Sequence, residues 1–343
     1  MAILVTGGAG YIGSHMAWAL LERGQEAILV DDLSTGKRGL APAACKLFKG
    51  DIGNAPFLDQ ILSSHAVTDI VHFAASVSVG GSLADPARYY ENNSTASRVL
   101  FEAAVRHGVR SVVFSSTAAV YAEPRNGLPV CEGSEARPQS PYGWSKLIAE
   151  RMLEEISGEQ GLRYVIFRYF NVAGADPHGR TGPVGAGKNT LVKVACEAAA
   201  GQRDSVTIYG TDFHTRDGTG VRDYVHVSDI VEAHLLALES LAGTRRAGVT
   251  LNCGYGRGHS VRDVIRAVQE VSGVDFKVVH SGRRAGDMAE VVADASKIRV
   301  ELGWKPRRDD LQVIVQDALR WEQRHLEHSN ATPRSTLQPE LTA

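Results

Sequence analysis

The sequence predicts an α/β protein: a doubly wound parallel sheet followed by a smaller α/β C-terminal domain. Three observations predict it. Short β-branched runs alternate with helical stretches from the first residue. The first run empties into a glycine-rich turn that opens a helix. After residue 171 the alternation gives way to the Gly- and Pro-rich stretch "NVAGADPHGRTGPVGAGKN". Its 343 residues correspond to about two domains. The expected division is 1–171 and 172–326, with part of about 222–255 packing back on the first domain and 327–343 a flexible tail.

Taken in order, "AILV" (2–5) reads as a buried strand and "SHMAWALLERG" (14–24) as an amphipathic helix. "EAILVD" (26–31) is the second strand, "FKGDI" (48–52) a third, and "PFLDQILSSH" (56–65) a helix. "DIVHFAA" (69–75) and "RSVVFSS" (110–116) are strands on either side of a long helix at 89–108 that stops at Gly108. Ser140 is placed to cap a helix from Pro141 to about Ser157. "RYVIFRYFN" (163–171) is one further parallel strand, and helices follow at about 190–201 and within 225–242.

Lys plus Arg number 37 against 39 Asp plus Glu, a net charge of -2, so general attraction to nucleic acid or to an anionic membrane is not expected. No apolar run approaches the ~20 residues that span a bilayer, and "MAILVTGG" has no basic leader region. Cys45, Cys131, Cys196 and Cys253 have no metal or disulfide spacing and read as reduced thiols of a cytoplasmic enzyme. The 12 histidines are scattered, and no catalytic metal is expected.

In "TGGAGYIG", Gly7, Gly10 and Gly13 recur at spacing three between a strand and a helix. Such glycines permit a tight turn, let backbone N–H groups approach a pyrophosphate and let the helix pack close to the strand. This is the Rossmann-type arrangement. The second strand ends at Asp31, whose carboxylate suits ribose hydroxyls and repels a 2′-phosphate, favouring NAD over NADP. Lys37 and Arg38 lie close enough in sequence to blunt that preference, and "GDI" puts Asp51 near the adenine.

"SPYGWSK" places Tyr142 and Lys146 four residues apart on one helix face. A nearby ammonium favours the phenolate and bound NAD+ would add further positive charge, so the expectation is a lowered phenol pKa and a base able to take a proton from a sugar hydroxyl. The strand before it ends in Ser115, Ser116 and Thr117, whose hydroxyls would face the cofactor cleft.

Together, "VTGGAGYIGSH", "IVHFAA", "YYENN", "FSSTAAVY", "SPYGWSKL", "RYFNVAGADP", "GTGVRDYVHVSDI" and "ADASKI" resemble the extended short-chain dehydrogenase/reductase superfamily, and within it the UDP-glucose 4-epimerase (UDP-galactose 4-epimerase) family, over about residues 1–325. The resemblance implies a tightly bound NAD and a reversible 4-epimerisation of UDP-glucose and UDP-galactose through a 4-keto sugar. It implies Tyr142 as base, Lys146 as its partner and Thr117 at the catalytic Ser/Thr position. It further implies a cofactor site that includes Tyr11, Ile12, Ile52, Phe73, Ala74, Asn92, Ser115 and Tyr169. Asn171, Arg222 and Arg284 match substrate-phosphate residues, Asp287 the uridine-ribose carboxylate, and Tyr209 an aromatic near uracil, with Thr207 on the same strand. Asn189, Thr190 and Leu191 map to a uridine-contacting turn. The family is usually homodimeric through two helices per subunit, here those at about 89–108 and 141–157.

Departures sharpen the reading. Val77 stands where some members have a cofactor-reaching Lys, Ala122 replaces the usual Gly, and "GPVGAGKNTLVKV" lacks the common bacterial form. Ala118 and Ala119 replace the Asp-Glu pair of a 4,6-dehydratase and cannot transfer protons. Val291, four positions after Asp287, is smaller than the Tyr that excludes N-acetyl groups, which extends the expected substrates to UDP-GlcNAc and UDP-GalNAc. A UDP-xylose/UDP-arabinose 4-epimerase would share the whole site and stands as the alternative. A non-enzymatic NAD-binding sensor is the reading from another class; retention of Tyr142, Lys146, Thr117 and both arginines argues against it. Asp223 reads as structural.

Overall fold

A computed structural model describes residues 1–124, 127–185, 190–243, 247–284 and 286–331. Its strands are β1 (Ala2–Thr6), β2 (Glu26–Asp31), β3 (Lys46–Lys49), β4 (Val67–His72), β5 (Ser111–Thr117), β6 (Arg163–Tyr169), β7 (Asn171–Ala173), β8 (Ser205–Tyr209), β9 (Val221–His226), β10 (Gly248–Cys253), β11 (Gly258–Ser260), β12 (Lys277–Ser281) and β13 (Glu290–Val291). The helices are α1 (Tyr11–Glu22), α2 (Ala55–Ser64), α3 (Val79–Ala84), α4 (Pro86–Tyr90), α5 (Ala96–Arg106), α6 (Pro141–Gln160), α7 (Leu191–Ala199), α8 (Val227–Gly243), α9 (Val261–Ser272), α10 (Ser296–Leu302) and α11 (Leu311–Ala331).

Seven strands form one parallel sheet in the order β10-β6-β5-β4-β1-β2-β3. The order reverses between β1 and β4, and an open α/β sheet binds ligands at such a switch point, outside the carboxyl ends of its strands. Apolar side chains are buried on both faces, as a parallel sheet requires. On one face Leu4, Ile70, Val112, Phe114 and Ile166 pack with Leu58, Leu100, Phe101 and Leu153 of α2, α5 and α6. On the other, Val5, Val71, Val113, Val165 and Phe167 pack with Met16 and Leu20 of α1 and Ile230 and Ala237 of α8.

β10 returns from residues 248–253 to become the edge of this sheet beside β6. A second assembly joins β9 to β7, β11 and β13, and a third pairs β8 with β12. The single strand expected over 163–171 is two: β6 pairs with β5 and β10, while Asn171 opens β7 beside Tyr224 of β9. The chain therefore changes sheets at Phe170. The expected long helix at 89–108 is also divided, with a π-helical turn at Glu91–Thr95 between α4 and α5. The helix expected at 14–24 begins earlier, at Tyr11, and the strand expected at 48–52 lies at 46–49. Ser140 does cap α6, accepting from Gly143 N–H. Residues 327–331, expected in the tail, continue α11; Asn189 and residues 332–343 lie outside the described residues.

Candidate active site

The glycine turn joins β1 to α1 at the switch point. Gly7 has φ +67°, a conformation that favours glycine, and a Cβ there would meet Ala74 N at 2.8 Å. A Cβ on Gly13 would lie 2.1 Å from the Gly7 carbonyl oxygen. Gly10 caps α1 without any side-chain hydrogen bond, so the first N–H groups of that helix, from Tyr11 and Ile12 onward, are turned to the turn's open side. This cradle of backbone, with a helix N-terminus behind it, fits a dinucleotide pyrophosphate. Asp31, at the end of β2, is buried and accepts Ala9 N–H at 3.0 Å and Leu33 N–H at 2.8 Å, so it also pins the turn; carboxylate oxygens retain further lone pairs for a ribose. Asp51 is exposed and accepts from Gly53 N–H, while its neighbour Ile52 is buried. Phe73 and Ala74 follow β4 and face the turn. Asn92 sits in the π-helical turn and donates to Ser76 Oγ at 2.9 Å.

Tyr142 and Lys146, both buried, project from the first turns of α6 towards the carboxyl end of β5. Lys146 Nζ donates to the Ser115 carbonyl at 2.8 Å and lies 4.8 Å from the Phe114 ring centroid. The Thr117 hydroxyl lies beside the Tyr142 phenol, whose pKa it lowers, and accepts from Ala119 N–H. The expected lowering of the phenol is not found in the chain by itself. Burial pushes Tyr142 up to about 12, which the neighbouring Thr117 hydroxyl only partly offsets. Burial also pushes Lys146 down to about 7, against the attraction of Glu150. Desolvation disfavours both charged forms, and no charge inside the chain outweighs it.

The residues expected on the substrate side come from other elements. Arg222 on β9 is paired in register with Val291 of β13, and its guanidinium donates to the Val221 carbonyl. Burial lowers its pKa, Asp287 opposes that, and Arg284 adds to it, so the three charges share one neighbourhood. Arg284 pairs with Asp287 at 2.9 Å and lies over the Tyr209 ring at 4.8 Å. Tyr209 and Thr207 stand on β8, whose pairing with β12 carries Tyr209 beside Ser281, at the root of the loop bearing Arg284. Asn171 is exposed on β7, adjacent to β9. Thr190 is the exposed first residue before α7 and Leu191 the half-buried first residue within it. Asp223 is buried and accepts N–H groups of Tyr255, Gly256 and Ala293 at 2.8–3.2 Å, tying β9 to the 254–256 and 293 segments.

Residues 3–254 match the NAD dependent epimerase/dehydratase family. The chain belongs to this family. It is 51% identical to a UDP-glucose 4-epimerase of Azospirillum brasilense over 329 residues, 95% of this chain and 93% of that one. A crystal structure of UDP-glucose-4-epimerase from Stenotrophomonas maltophila, with bound NAD and formylated UDP-arabinopyranose, superposes with a TM-score of 0.91 at 38% identity, covering 96% of this chain and 99% of that one. The UDP-Glc/GlcNAc 4-epimerase of Campylobacter jejuni superposes with a TM-score of 0.82 at 42% identity, covering 94% and 99%.

This member of the epimerase/dehydratase family supports its site with groups the sequence patterns did not mark. Asn93, fully buried in the π-helical turn, donates to the Ser76 carbonyl at 2.9 Å and to Ser145 Oγ at 3.0 Å, and accepts Ser76 N–H at 2.8 Å. Ser145 Oγ in turn donates to the Tyr142 carbonyl at 2.8 Å. Glu150, one turn beyond Lys146, is clamped by the Arg168 guanidinium at 2.6 Å and by Ser116 Oγ. The doubled Asn in "YYENN" was the one available signal, and it indicated Asn92 first.

Proposed function

We propose that the chain is a UDP-glucose 4-epimerase that binds NAD and interconverts UDP-glucose and UDP-galactose. The observation that carries the reading is the meeting of Tyr142, Thr117 and Lys146 at the carboxyl end of β5, beside a glycine turn at the sheet's switch point. NAD held by the Gly7–Gly13 turn and Asp31 would supply a reversible hydride acceptor.

The chain's own residues do the rest. Tyr142 takes the 4′-hydroxyl proton and later gives it back, while Thr117 holds the hydroxyl and phenol in line. With Tyr142 pushed up to about 12 and Lys146 down to about 7, the site is a weak base by itself. A bound oxidised cofactor would supply a cationic charge that favours the Tyr142 phenolate. Arg222 and Arg284 grip the diphosphate, for which the guanidinium fork is suited. Asn171 assists them, Asp287 takes the uridine ribose, and Tyr209 and Thr207 with the Thr190–Leu191 turn line the uracil side. Holding the nucleotide firmly leaves the hexose free to turn over inside the site.

The half-buried Val291, beside Arg222, supports a sugar pocket wide enough for a C2 N-acetyl group. UDP-GlcNAc and UDP-GalNAc are therefore further substrates. The loop before α6 borders the same region, since Val130 exchanges backbone bonds with Val292 and Asp294 at 2.8 Å. A homodimer is supported by exposed apolar side chains on two adjacent helices: Trp144 and Ile148 on α6, Val79 and Leu83 on α3. The four cysteines are free, which supports a reducing, cytoplasmic setting.

The test is chromatography of sugar nucleotides after incubation of the purified protein with UDP-galactose, UDP-GalNAc and UDP-arabinose in turn. UDP-glucose and UDP-GlcNAc are the expected products. Conversion of UDP-arabinose alone would replace the hexose reading with the pentose one, and no conversion of any would leave the sensor.

A further inference from the structure

We propose that His234 of α8 is a positioning residue for the cofactor site, acting through Tyr169 and Phe73. This rests on the NAD-dependent reading above. His234 is fully buried on the face of the sheet opposite α6. Its Nδ1 bonds the Ile230 carbonyl at 2.8 Å. A carbonyl only accepts, so Nδ1 carries the proton and Nε2 is bare. Nε2 therefore accepts from the Tyr169 phenol, 2.5 Å away. Burial holds the imidazole pKa down at about 4, so it stays a neutral acceptor throughout the physiological range.

One ring thus fixes side chains from two strand ends. Tyr169 closes β6, directly opposite Thr117 of β5 in register. Phe73 follows β4, and its ring lies 4.9 Å from that of His234; Phe167 lies 4.8 Å away on the same side. The Tyr169 proton is committed to His234, and the Ser115 side chain lies close enough to the phenol to work against the rise that burial imposes on it. Ser115 is the residue whose carbonyl receives Lys146. His234, Tyr169, Ser115 and Lys146 are thus neighbours in turn around the end of β5, from one face of the sheet to the other. Rotation of the Tyr169 ring would displace the Ser115 side chain and the wall that Phe73 shares.

The test compares His234→Phe, Tyr169→Phe and the double variant with wild type as purified holoenzymes. His234→Phe keeps a ring but removes the acceptor, stranding a buried hydroxyl. It is expected to lower NAD retained per chain after gel filtration, with cofactor release at least about 10-fold faster. It should also lower kcat about 10-fold at unchanged UDP-sugar KM. Adding Tyr169→Phe removes the stranded group and should bring both quantities to within about 3-fold of Tyr169→Phe alone, a coupling that unrelated packing defects do not show. Wild-type NAD retention and kcat in His234→Phe, or strictly additive losses in the double variant, would overturn the proposal. Should His234→Phe not fold, the double variant decides: folded and NAD-loaded supports it, equally defective overturns it. Wild-type protein that retains NAD yet converts no UDP-sugar would defeat the epimerase reading alone, and the retention measurements would still judge His234.

Discussion

Lys146 Nζ donates to the Ser115 carbonyl at 2.8 Å, so the ammonium at the centre of the site rests on a strand end and not on a carboxylate. The nearest acidic group on its own helix, Glu150, is already engaged by Arg168. Dipoles of this kind only partly replace hydration, and burial leaves Lys146 near 7.

That arrangement gives a pH dependence of known sign. The unfolded chain keeps the lysine proton up to about 10.4, whereas the folded chain releases it near 7. Between these values the unfolded state binds more protons, so stability rises with pH across that window and the contribution is absent below it. Thermal melts of cofactor-free protein between pH 7 and 9 should show wild type gaining Tm relative to Lys146→Met. Parallel profiles for the two proteins would mean that Lys146 is not buried as a neutral amine.

The close pass at the glycine turn predicts a sharp positional contrast. Gly13→Ala sets a Cβ against the Gly7 carbonyl at 2.1 Å, and that neighbour is backbone, which cannot swing aside. Cofactor affinity should fall at least about 100-fold, equivalent to about 3 kcal/mol, as α1 is pushed off the turn. Gly24 has φ +67° but nothing within 4 Å, so Gly24→Ala costs only backbone strain, about 1 kcal/mol, and leaves NAD binding intact. Isothermal titration of NAD into both variants separates them; equal affinities would contradict the steric account.

The glycine turn, the limits of β2 and the Ser140 cap were legible because each is a local statement: a backbone that must pass close, an apolar run between breakers, a hydroxyl one residue before a helix. The sheet change at Phe170 was not, since "RYVIFRYFN" is uniformly strand-like and only the partner strands decide where it divides. The π-helical turn at Glu91–Thr95 keeps helical periodicity nearly unbroken, so the sequence resembles one long helix. The YxxxK spacing reports the cation beside Tyr142 but not the burial that opposes it in the chain by itself. His234 and Glu150 look like ordinary polar interruptions of apolar helices; their partners, Tyr169 and Arg168, are 65 and 18 residues away.

Asn93 supplies a stability prediction that also reaches the chemistry. Asn93→Asp keeps size and shape but loses both amide donations, setting a carboxylate against the Ser76 carbonyl. Breaking a fully buried polar network in this way costs about 3 kcal/mol. Because Ser145 holds the first turn of α6 through the Tyr142 carbonyl, kcat should fall about 10-fold as well. Denaturant unfolding together with steady-state rates checks both, and an unchanged midpoint would remove Asn93 from the supporting framework.

Arg284 offers the cleanest separation of binding from turnover. Its guanidinium is largely exposed, pairs with Asp287 at 2.9 Å and covers Tyr209. Exposed ion pairs contribute about 0–1 kcal/mol to folding, so Arg284→Ala should leave Tm almost unchanged. In its proposed role on the diphosphate the contribution is larger, because a charge-assisted bond to a phosphate oxygen adds about 1.5–3 kcal/mol. In that role the interaction is remote from the reacting carbon and equally strong in ground and transition states. KM for the UDP-sugar should therefore rise about 10- to 100-fold while kcat stays within about 3-fold. The same charge makes wild-type affinity for UDP fall with added salt, and the variant's should fall less steeply. A variant whose kcat collapses at unchanged KM would place Arg284 at the chemistry instead of on the nucleotide.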